Sequence, residues 1–205
     1  MAGKLDHAYG GMAEGGAVEF YDDWAESYDD ELGSQGYVTP KRCAEALIAM
    51  GADPAQPILD VGCGTGVSGA ALAAAGFDVI DGVDPSAEML ARARDKDIYR
   101  AVREIDRAAP LVAPDSAYHN AVAAGVLSPD LAPPEALDQI LEFLPVGGRL
   151  AFSLNDHAIA DGAHLGRMSE IIDGGWADLE FKEYGDHIPG TGLKAYVYVL
   201  RKREV

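Results

Sequence analysis

The feature that most constrains this chain is a short apolar run that ends in an acidic residue and breaks into alternating glycines. Residues 58–66 are I-L-D-V-G-C-G-T-G, and an alanine-rich segment typical of a helix follows them. The order strand, glycine turn, helix places backbone N–H groups at a helix N-terminus, where glycines let a ligand approach the main chain closely. The pattern therefore predicts a nucleotide-like ligand at the turn.

The acidic residue within this motif indicates which ligand. A carboxylate at Asp60 would repel a pyrophosphate but attract the ammonium group of an amino-acid moiety, which favours S-adenosylmethionine over NAD. The NAD interpretation stays open because residues 64–69 also satisfy the G-x-G-x-x-G fingerprint of dinucleotide sites, and a structural glycine turn is a further alternative. Asp84, which follows the next apolar run, suits the ribose hydroxyls of either cofactor. We predict S-adenosylmethionine.

The composition limits the partners of such a chain. It has 16 basic and 34 acidic residues and a net charge of −18, which argues against nucleic acid, since polyanion binding depends on Lys and Arg. The sequence has neither an apolar stretch of the roughly 20 residues that span a membrane nor a secretory signal pattern, so we expect a cytoplasmic protein without a membrane partner. Cys43 and Cys63 are expected to be reduced thiols, and no metal site is predicted. The acidic run 22–31 is either a solvated helix face or an acidic mouth that favours neutral or cationic substrates.

The order of elements predicts one domain over residues 1–205. Residues 1–16 are expected to form a flexible arm, residues 17–50 an N-terminal helical lid, and residues 57–205 a Rossmann-like core. Strands that alternate with helices predict a doubly wound, mostly parallel α/β sheet of seven strands. The last two strands are joined by a loop too short for a crossover helix, so the C-terminal strand should be antiparallel.

The lid carries an aromatic stripe. We expect one helix over residues 18–32, with Tyr21, Trp24 and Tyr28 three and four residues apart on one face. Such a stripe is either ordinary core packing or a wall of the cofactor site. A second helix should begin at Thr39, with the threonine hydroxyl as its N-cap and a proline after it.

Together these motifs resemble those of class I methyltransferases. D-V-G-C-G-T-G at residues 60–66 precedes G-V-D-P-S-A-E-M-L-A-R-A-R at residues 82–94, and residues 21–29 are similar to the Y-D-x-W-A-x-x-Y-D segment of small-molecule methyltransferases. Residues 5–9 match the L-D-x-A-Y of the Williams–Beuren-region methyltransferase-like proteins. The resemblance covers nearly the whole chain. It implies S-adenosylmethionine-dependent methyl transfer to a small-molecule substrate.

In an open α/β sheet the ligand lies at the carboxyl ends of the strands, near the change in strand order. On this basis and on the resemblance, Asp84 is assigned to the ribose. Asp106 is assigned either to the adenine amino group or, alternatively, to a helix cap or a surface acid. The predicted cofactor-binding residues follow strand ends or lie on the N-terminal helix: Tyr21, Trp24, Tyr28, Asp60, Gly62, Cys63, Gly64, Gly66, Asp84, Pro85, Met89, Ile105, Asp106, Ala124 and Gly125.

Methyl transfer requires few catalytic side chains. Methyl transfer from a sulfonium is an in-line displacement, so the protein contributes chiefly alignment and exclusion of water. A general base is needed only if the acceptor enters protonated. Tyr28, His157 and His187 are the candidate catalytic residues, although each histidine is more commonly a surface residue than a base. The absence of a clear base motivates a second hypothesis, a non-catalytic module that binds S-adenosylmethionine as a sensor.

Overall fold

A central sheet organises the chain. The computed structural model describes residues 4–9, 16–109, 111 and 118–204. The sheet has seven strands in the order β3-β2-β1-β4-β5-β7-β6. The strands are β1 (Ile58–Val61), β2 (Ile80–Asp84), β3 (Ala101–Glu104), β4 (Asn120–Ala123), β5 (Arg149–Asn155), β6 (Ala177–Ile188) and β7 (Leu193–Lys202).

The strand directions agree with the predicted fold class. Strand β1 pairs in parallel with β2 and β4, and β2–β3 and β4–β5 are parallel pairs as well. Strand β7 is antiparallel to both β5 and β6. All residues of β1, β2 and β4 are buried, as expected for parallel strands covered on both faces. The prediction of a mostly parallel α/β sheet with an antiparallel C-terminal strand is confirmed.

Helices cover both faces and the carboxyl edge of the sheet. They are α1 (Lys4–Tyr9), α2 (Ala17–Trp24), α3 (Tyr28–Gln35), α4 (Thr39–Ala49), α5 (Val67–Ala74), α6 (Ala87–Asp95), α7 (Ala136–Phe143), α8 (Asp156–Asp161) and α9 (Ala163–Asp173). Helix α1 lies within the stretch predicted as a flexible arm, of which residues 1–3 and 10–15 are outside the described part of the chain. None of the helices in the described residues is long and apolar enough to cross a membrane.

The single helix predicted over residues 18–32 is wrong, because the chain turns between α2 and α3. Ser27 precedes α3 and donates from its hydroxyl to Glu31 at 2.6 Å. The first turn of α3 also holds Asp29 and Asp30. Acidic residues in the first turn favour a helix N-terminus, because their charges interact well with the free N–H groups there. The Ser27 side chain accepts no capping hydrogen bond, so the acidic first turn is the local signal for the new helix.

Two further boundaries differ from prediction. Thr39 is the first residue of α4 and does not cap it; its buried hydroxyl lies 2.7 Å from His187 Nδ1. Helix α8 was not predicted, and Asn155 caps it by accepting from the Ala158 N–H at 2.9 Å.

The N-terminal helices have a small core of their own. Trp24 and Leu32 are buried together with Leu5 of α1 and Ile188 at the end of β6. The helices α1 to α3, which we call the cap, therefore rest on the last residue of β6 as well as on each other. This attachment places the cap over the carboxyl edge of the sheet.

Two glycines make room for a tyrosine beneath the glycine turn. A Cβ added at Gly69 would lie 2.3 Å from the Tyr99 hydroxyl oxygen, and one at Gly82 would lie 2.7 Å from Cys63 Sγ and 3.0 Å from the Tyr99 ring. Real Cβ atoms do not approach heavy atoms this closely. Gly69, the third glycine of the G-x-G-x-x-G match at residues 64–69, thus accommodates Tyr99.

This packing predicts opposite effects at two helical glycines. Gly69→Ala in α5 should lower the free energy of unfolding by about 1–3 kcal/mol, because the new methyl group overpacks against Tyr99. Gly166→Ala in α9 is the control, since no atom lies within 4 Å of its Cβ position, and it should stabilise by up to about 1 kcal/mol through helix propensity. Urea unfolding of both variants measures these changes. Equal stability of the two variants would contradict the packing argument.

Candidate cofactor site

A cleft lies at the carboxyl ends of β1, β2 and β4, between the sheet and the cap. It encloses about 630 Å³, including its open mouth. Its lining residues are Ala17, Val18, Tyr21, Tyr28, Gly62, Gly64, Asp84, Pro85, Ser86, Met89, Arg107, Ala124, Gly125, Val126 and Leu131. Most of these side chains are apolar, and the charged ones are Asp84 and Arg107. Nine of the fifteen predicted cofactor-binding residues are in this lining.

A smaller cavity of about 250 Å³ lies beside the cleft. The two share Tyr28, Gly62, Gly64 and Ala124, so Tyr28 borders both spaces. The remaining lining of the smaller cavity comes from the glycine turn, the start of α5 and the N-terminal helices: Tyr37, Pro40, Cys63, Thr65, Val67 and Ser68. The two cavities therefore adjoin at Tyr28 and the glycine turn.

The turn itself requires glycine for two different reasons. Gly62, Gly64 and Gly66 have φ angles of 69°, 51° and 92°, a region that favours glycine. A Cβ at Gly62 would lie 2.4 Å from the Val126 side chain, whereas one at Gly64 would meet no atom within 4 Å. The main chain at Gly64 is thus open to a ligand. Gly66 faces Tyr99 and is not in either lining.

Asp84 ends β2 and binds the turn through both oxygens. Its Oδ2 accepts from the Gly64 N–H at 2.9 Å, and its Oδ1 accepts from the Ser86 N–H at 2.9 Å. Burial raises the pKa of the Asp84 carboxyl to about 6. Each carboxylate oxygen has a second lone pair, so Asp84 can still accept hydroxyl groups from a ligand in the cleft.

Asp60 is buried behind the turn. Its Oδ2 accepts from the Ser68 hydroxyl at 2.6 Å and from the Tyr99 hydroxyl at 2.7 Å. Its Oδ1 is buried and has no hydrogen-bond partner among the described residues. Burial raises the pKa of the Asp60 carboxyl to about 7, and the charge of Asp84 adds to this shift. A buried carboxylate oxygen without a partner is costly unless a ligand donates to it.

Two acids of the run 22–31 tie the cap to the site. Asp22 accepts from the Ser86 hydroxyl at 2.5 Å, next to Asp84. Asp29 accepts from the Thr65 hydroxyl at 2.5 Å and from Lys96 Nζ at 2.5 Å. These two acids are thus not simply part of a solvated face, because they connect the cap to the glycine turn and to the start of α6.

The aromatic stripe divides between the cleft and the cap core. The Trp24 ring lies 4.7 Å from Tyr28 and 5.9 Å from Tyr21, measured between centroids. Trp24 is only 1% exposed and does not line the cleft, whereas both tyrosines do. Burial raises the pKa of the Tyr21 hydroxyl, so it remains protonated at neutral pH. Trp24 thus supports the two tyrosines from behind.

The two predicted histidines lie outside the cleft and the smaller cavity. His157 is exposed on α8. His187 is buried beside Thr39, with its ring edge-on to Tyr37 at 5.2 Å, and burial lowers its pKa to about 4. A histidine with this pKa is a weak base at neutral pH. The structure does not bring either histidine to the site, so their catalytic roles remain predictions.

Two other predicted residues are placed differently from expectation. Asp106 is an exposed surface acid, and its Oδ1 accepts from the Ala108 N–H at 2.8 Å within a turn, where no helix begins in the described residues. Ile105 is half-buried and packs against the main core. Arg107 lines the cleft instead, and its guanidinium donates to the Asp130 carbonyl. Sequence reasoning missed Arg107 because no motif surrounds it.

Cys63 and Tyr99 pack at the glycine turn. Cys63 lines the smaller cavity, and burial raises the pKa of its thiol, so it is a packing group in this structure. Tyr99 precedes β3 and accepts from the Gly69 N–H at 3.1 Å while it donates to Asp60. Its only signal in the sequence is indirect, through the glycines that make room for it. The described residues hold no group of three or more His, Cys, Asp or Glu that would bind a metal ion.

Part of this chain is similar in sequence to known methyltransferases. Residues 58–148 match the family described as "Methyltransferase domain". Methyltransferase-like protein 27 of Homo sapiens is 33% identical over 135 residues, which cover 63% of this chain and 54% of the relative. The chain thus spans about half the length of this curated relative. The family match covers residues 58–148 only and supports the prediction of a methyltransferase, whereas the narrower Williams–Beuren-region resemblance stays a prediction.

Solved structures share the fold. The magnesium protoporphyrin IX methyltransferase of Synechocystis PCC 6803, with bound S-adenosylmethionine, has a TM-score of 0.63 at 18% identity, over 97% of this chain and 89% of its own. The N-methyltransferase NodS of Bradyrhizobium japonicum WM9, in complex with S-adenosylhomocysteine, has a TM-score of 0.61 at 16% identity, over 82% of this chain and 90% of its own. At these identities the similarity establishes the fold.

The burial of Asp60 predicts a pH-dependent stability. Its pKa in the folded protein is about 7, above the ordinary 3.8, so its contribution to stability is full below pH 3.8 and is lost as the pH rises towards 7. Asp60→Asn removes this titration. The free energy of unfolding of the variant relative to the natural protein should therefore rise by more than about 1 kcal/mol between pH 5 and pH 8.

Urea unfolding of the ligand-free proteins at the two pH values measures this difference. Asp95→Asn, at an exposed position on α6, is the control and should show the same pH dependence as the natural protein. The account of Asp60 fails if the stability difference caused by Asp60→Asn is the same at pH 5 and pH 8.

Proposed function

We propose that this chain, which matches a methyltransferase domain over residues 58–148 and shares the fold of methyltransferases of known structure, transfers a methyl group from S-adenosylmethionine to a small-molecule acceptor. One observation carries the choice of cofactor. Asp60 is buried behind an open glycine turn, and its Oδ1 has no partner in the described chain. An ammonium group would satisfy this oxygen, whereas a pyrophosphate would meet two buried carboxylates, Asp60 and Asp84.

The residues around the cleft suit the other parts of this cofactor. Asp84 offers lone pairs to the ribose hydroxyls at the point where β2 ends. Pro85, Met89 and Leu131 provide apolar surface suited to the adenine. The open main chain at Gly64 allows a ligand to lie directly against the turn. The groups that line the cleft are in place in the ligand-free fold. Asp60 is fully buried and lines neither cavity, so the glycine turn must open locally for a ligand to reach its Oδ1.

The chain itself contributes alignment and exclusion of water. Bound S-adenosylmethionine supplies a methyl group already activated by the sulfonium charge. Ala124 and Gly125, which follow β4, leave space beside the turn, and Ser153 holds Gly125 by accepting from its N–H at 2.8 Å. Tyr28 closes the cleft from the cap side. Alignment of this kind lowers the barrier of a displacement without a general base.

The cap serves as a lid in this proposal. Helices α2 and α3 contact the sheet edge through Asp22 and Asp29, which bind residues next to the proposed cofactor contacts. Each bond joins an acid that is exposed or half-exposed to a buried hydroxyl, and one hydrogen bond to a charged group contributes only about 1.5–3 kcal/mol. The cap can therefore open without disturbing the sheet, and the two tyrosines that line the cleft would move with it.

The volume of the cleft and the net charge of the chain indicate the kind of acceptor. The cleft of about 630 Å³ is lined mostly by apolar groups, and the chain carries a net charge of −18. Such a surface disfavours nucleic acid and favours a small neutral or cationic acceptor.

Since the predicted histidines lie outside the cleft, a sensor that binds the cofactor without transferring methyl is the second candidate. Methyl transfer to any compound of a pooled metabolite set would exclude the sensor.

Calorimetry tests the cofactor. The natural protein should bind S-adenosylmethionine and S-adenosylhomocysteine, and Asp84→Ala should weaken binding by roughly 1.5–3 kcal/mol, the range for hydrogen bonds to a charged group. Asp95→Ala, at an exposed position outside the cleft, is the control and should bind like the natural protein. The fold of Asp84→Ala is checked by circular dichroism.

Two results would count against the proposal. Failure to bind either sulfur compound, together with measurable binding of NAD(H), would replace the methyltransferase with an oxidoreductase. Unchanged affinity in a folded Asp84→Ala variant would remove Asp84 from the site.

A further inference from the structure

We propose that Tyr99 is a positioning residue for cofactor binding, because its hydroxyl occupies one oxygen of Asp60 and thereby holds the other oxygen ready for the cofactor's ammonium group. The inference rests on the proposed function and assigns a role within that site to a residue that lines neither cavity. Tyr99 lies in the loop between α6 and β3, 39 residues from Asp60 in sequence. It acts through Asp60 and does not touch the cofactor.

The hydrogen bonds define a short chain of donors that ends at the carboxylate. The Gly69 N–H donates to the Tyr99 oxygen at 3.1 Å, and the Tyr99 hydroxyl donates to Asp60 Oδ2 at 2.7 Å. Because the tyrosine oxygen accepts from a backbone N–H, its own proton is directed to the carboxylate. Ser68 donates to the same oxygen of Asp60 at 2.6 Å. Both donors therefore bind Oδ2, and Oδ1 has no partner within the described chain.

The surrounding packing fixes Tyr99 in this position. The missing side chains of Gly69 and Gly82 provide the space for its ring, since a Cβ at either glycine would come within 3.0 Å of a Tyr99 atom. A Cβ at Gly66 would lie 3.1 Å from the same ring. Three glycines from the turn, from α5 and from β2 thus form a slot around one ring. A slot of this kind restricts the hydroxyl to one direction.

The electrostatic surroundings of Asp60 explain why a donor is needed. Cys43 of α4, Cys63 of the turn, and Asp84 of β2 are the titratable groups that interact with Asp60 together with Tyr99. Burial raises the pKa of both thiols and of the Tyr99 hydroxyl, so these groups are neutral near pH 7. Burial and the charge of Asp84 favour the protonated form of Asp60, whereas the hydrogen bonds from Ser68 and Tyr99 favour its ionised form.

Ionised Asp60 attracts an ammonium group, and protonated Asp60 does not. Burial raises the pKa of Asp60 to about 7 with both donors present, so the acid is near half ionisation at neutral pH. Removal of one donor should raise this pKa further. The hydroxyl of Tyr99 therefore controls how much of the protein is ready to bind the cofactor near pH 7.

The test compares two conservative variants by calorimetry with S-adenosylhomocysteine. Tyr99→Phe keeps the ring and removes the hydroxyl. Tyr118→Phe is the matched control, because the Tyr118 hydroxyl also donates to a carboxylate, Asp81 Oδ2 at 2.8 Å, but outside the site. Dissociation constants are measured at pH 7 and pH 9, and thermal unfolding confirms that each variant is folded.

Tyr99→Phe should weaken binding about fivefold at pH 7, as expected if the pKa of Asp60 rises by about one unit, and the loss should fall below about twofold at pH 9. Tyr118→Phe should match the natural protein at both pH values. The amino group of the ligand titrates alike with every protein, so it cancels in these ratios. If Tyr99→Phe does not fold, Ser68→Ala removes the other donor and should show the same change with pH.

If Tyr99→Phe loses the same affinity at pH 7 and pH 9, Tyr99 has only a structural role and the inference is overturned. Unchanged affinity of Tyr99→Phe at both pH values would also overturn it. If the natural protein binds neither S-adenosylhomocysteine nor S-adenosylmethionine at either pH, the proposed function fails instead. The two failures are therefore distinguishable.

Discussion

The structure around the site depends on the burial of two carboxylates, Asp60 and Asp84, beside a turn made of glycines. Each carboxylate is held by donors from other elements: backbone N–H groups for Asp84, and the hydroxyls of Ser68 and Tyr99 for Asp60. Burial raises the pKa of both carboxyls. A fold tolerates such groups when their hydrogen bonds are satisfied or when a ligand completes them. Because Asp60 Oδ1 has no hydrogen-bond donor in the described chain, we expect a cationic ligand to bind there.

The cap follows from the same arrangement. Its acids bind Ser86 and Thr65, which are neighbours of Asp84 and Gly64 in sequence. The cap is thus attached to the loops that would hold the cofactor, and its own core is small. An element with few buried apolar contacts opens more easily than the sheet beneath it. Attachment to the site and weak internal stability together suit a lid.

Local patterns predicted the core well and the cap less well. The mostly parallel strand directions and the turn at residues 58–66 follow from alternation of apolar runs with glycines and helices, which are signals within one stretch of chain. The break after Trp24 coincides with the acidic first turn of α3, a local signal that the apolar periodicity does not contain. Tyr99 and Arg107 reach the site from distant positions in sequence, and no spacing rule marks them. Thr39 and His187 pair across 148 residues, so neither residue type alone revealed the contact.

Hydrogen exchange across the whole chain, with and without S-adenosylhomocysteine, tests the central claim most directly. The account predicts slower exchange in the three segments that meet at the cleft, namely the turn at 62–66, the start of α6 at 84–89 and the cap at 18–32, because ligand binding suppresses their local opening. Residues 176–179, at the opposite end of the sheet, should exchange at an unchanged rate. Protection absent from the turn and from α6, or elicited by NAD(H) instead, would contradict the assignment of this site to S-adenosylmethionine. Protection of the turn without the cap would retain the cofactor site but refute the lid.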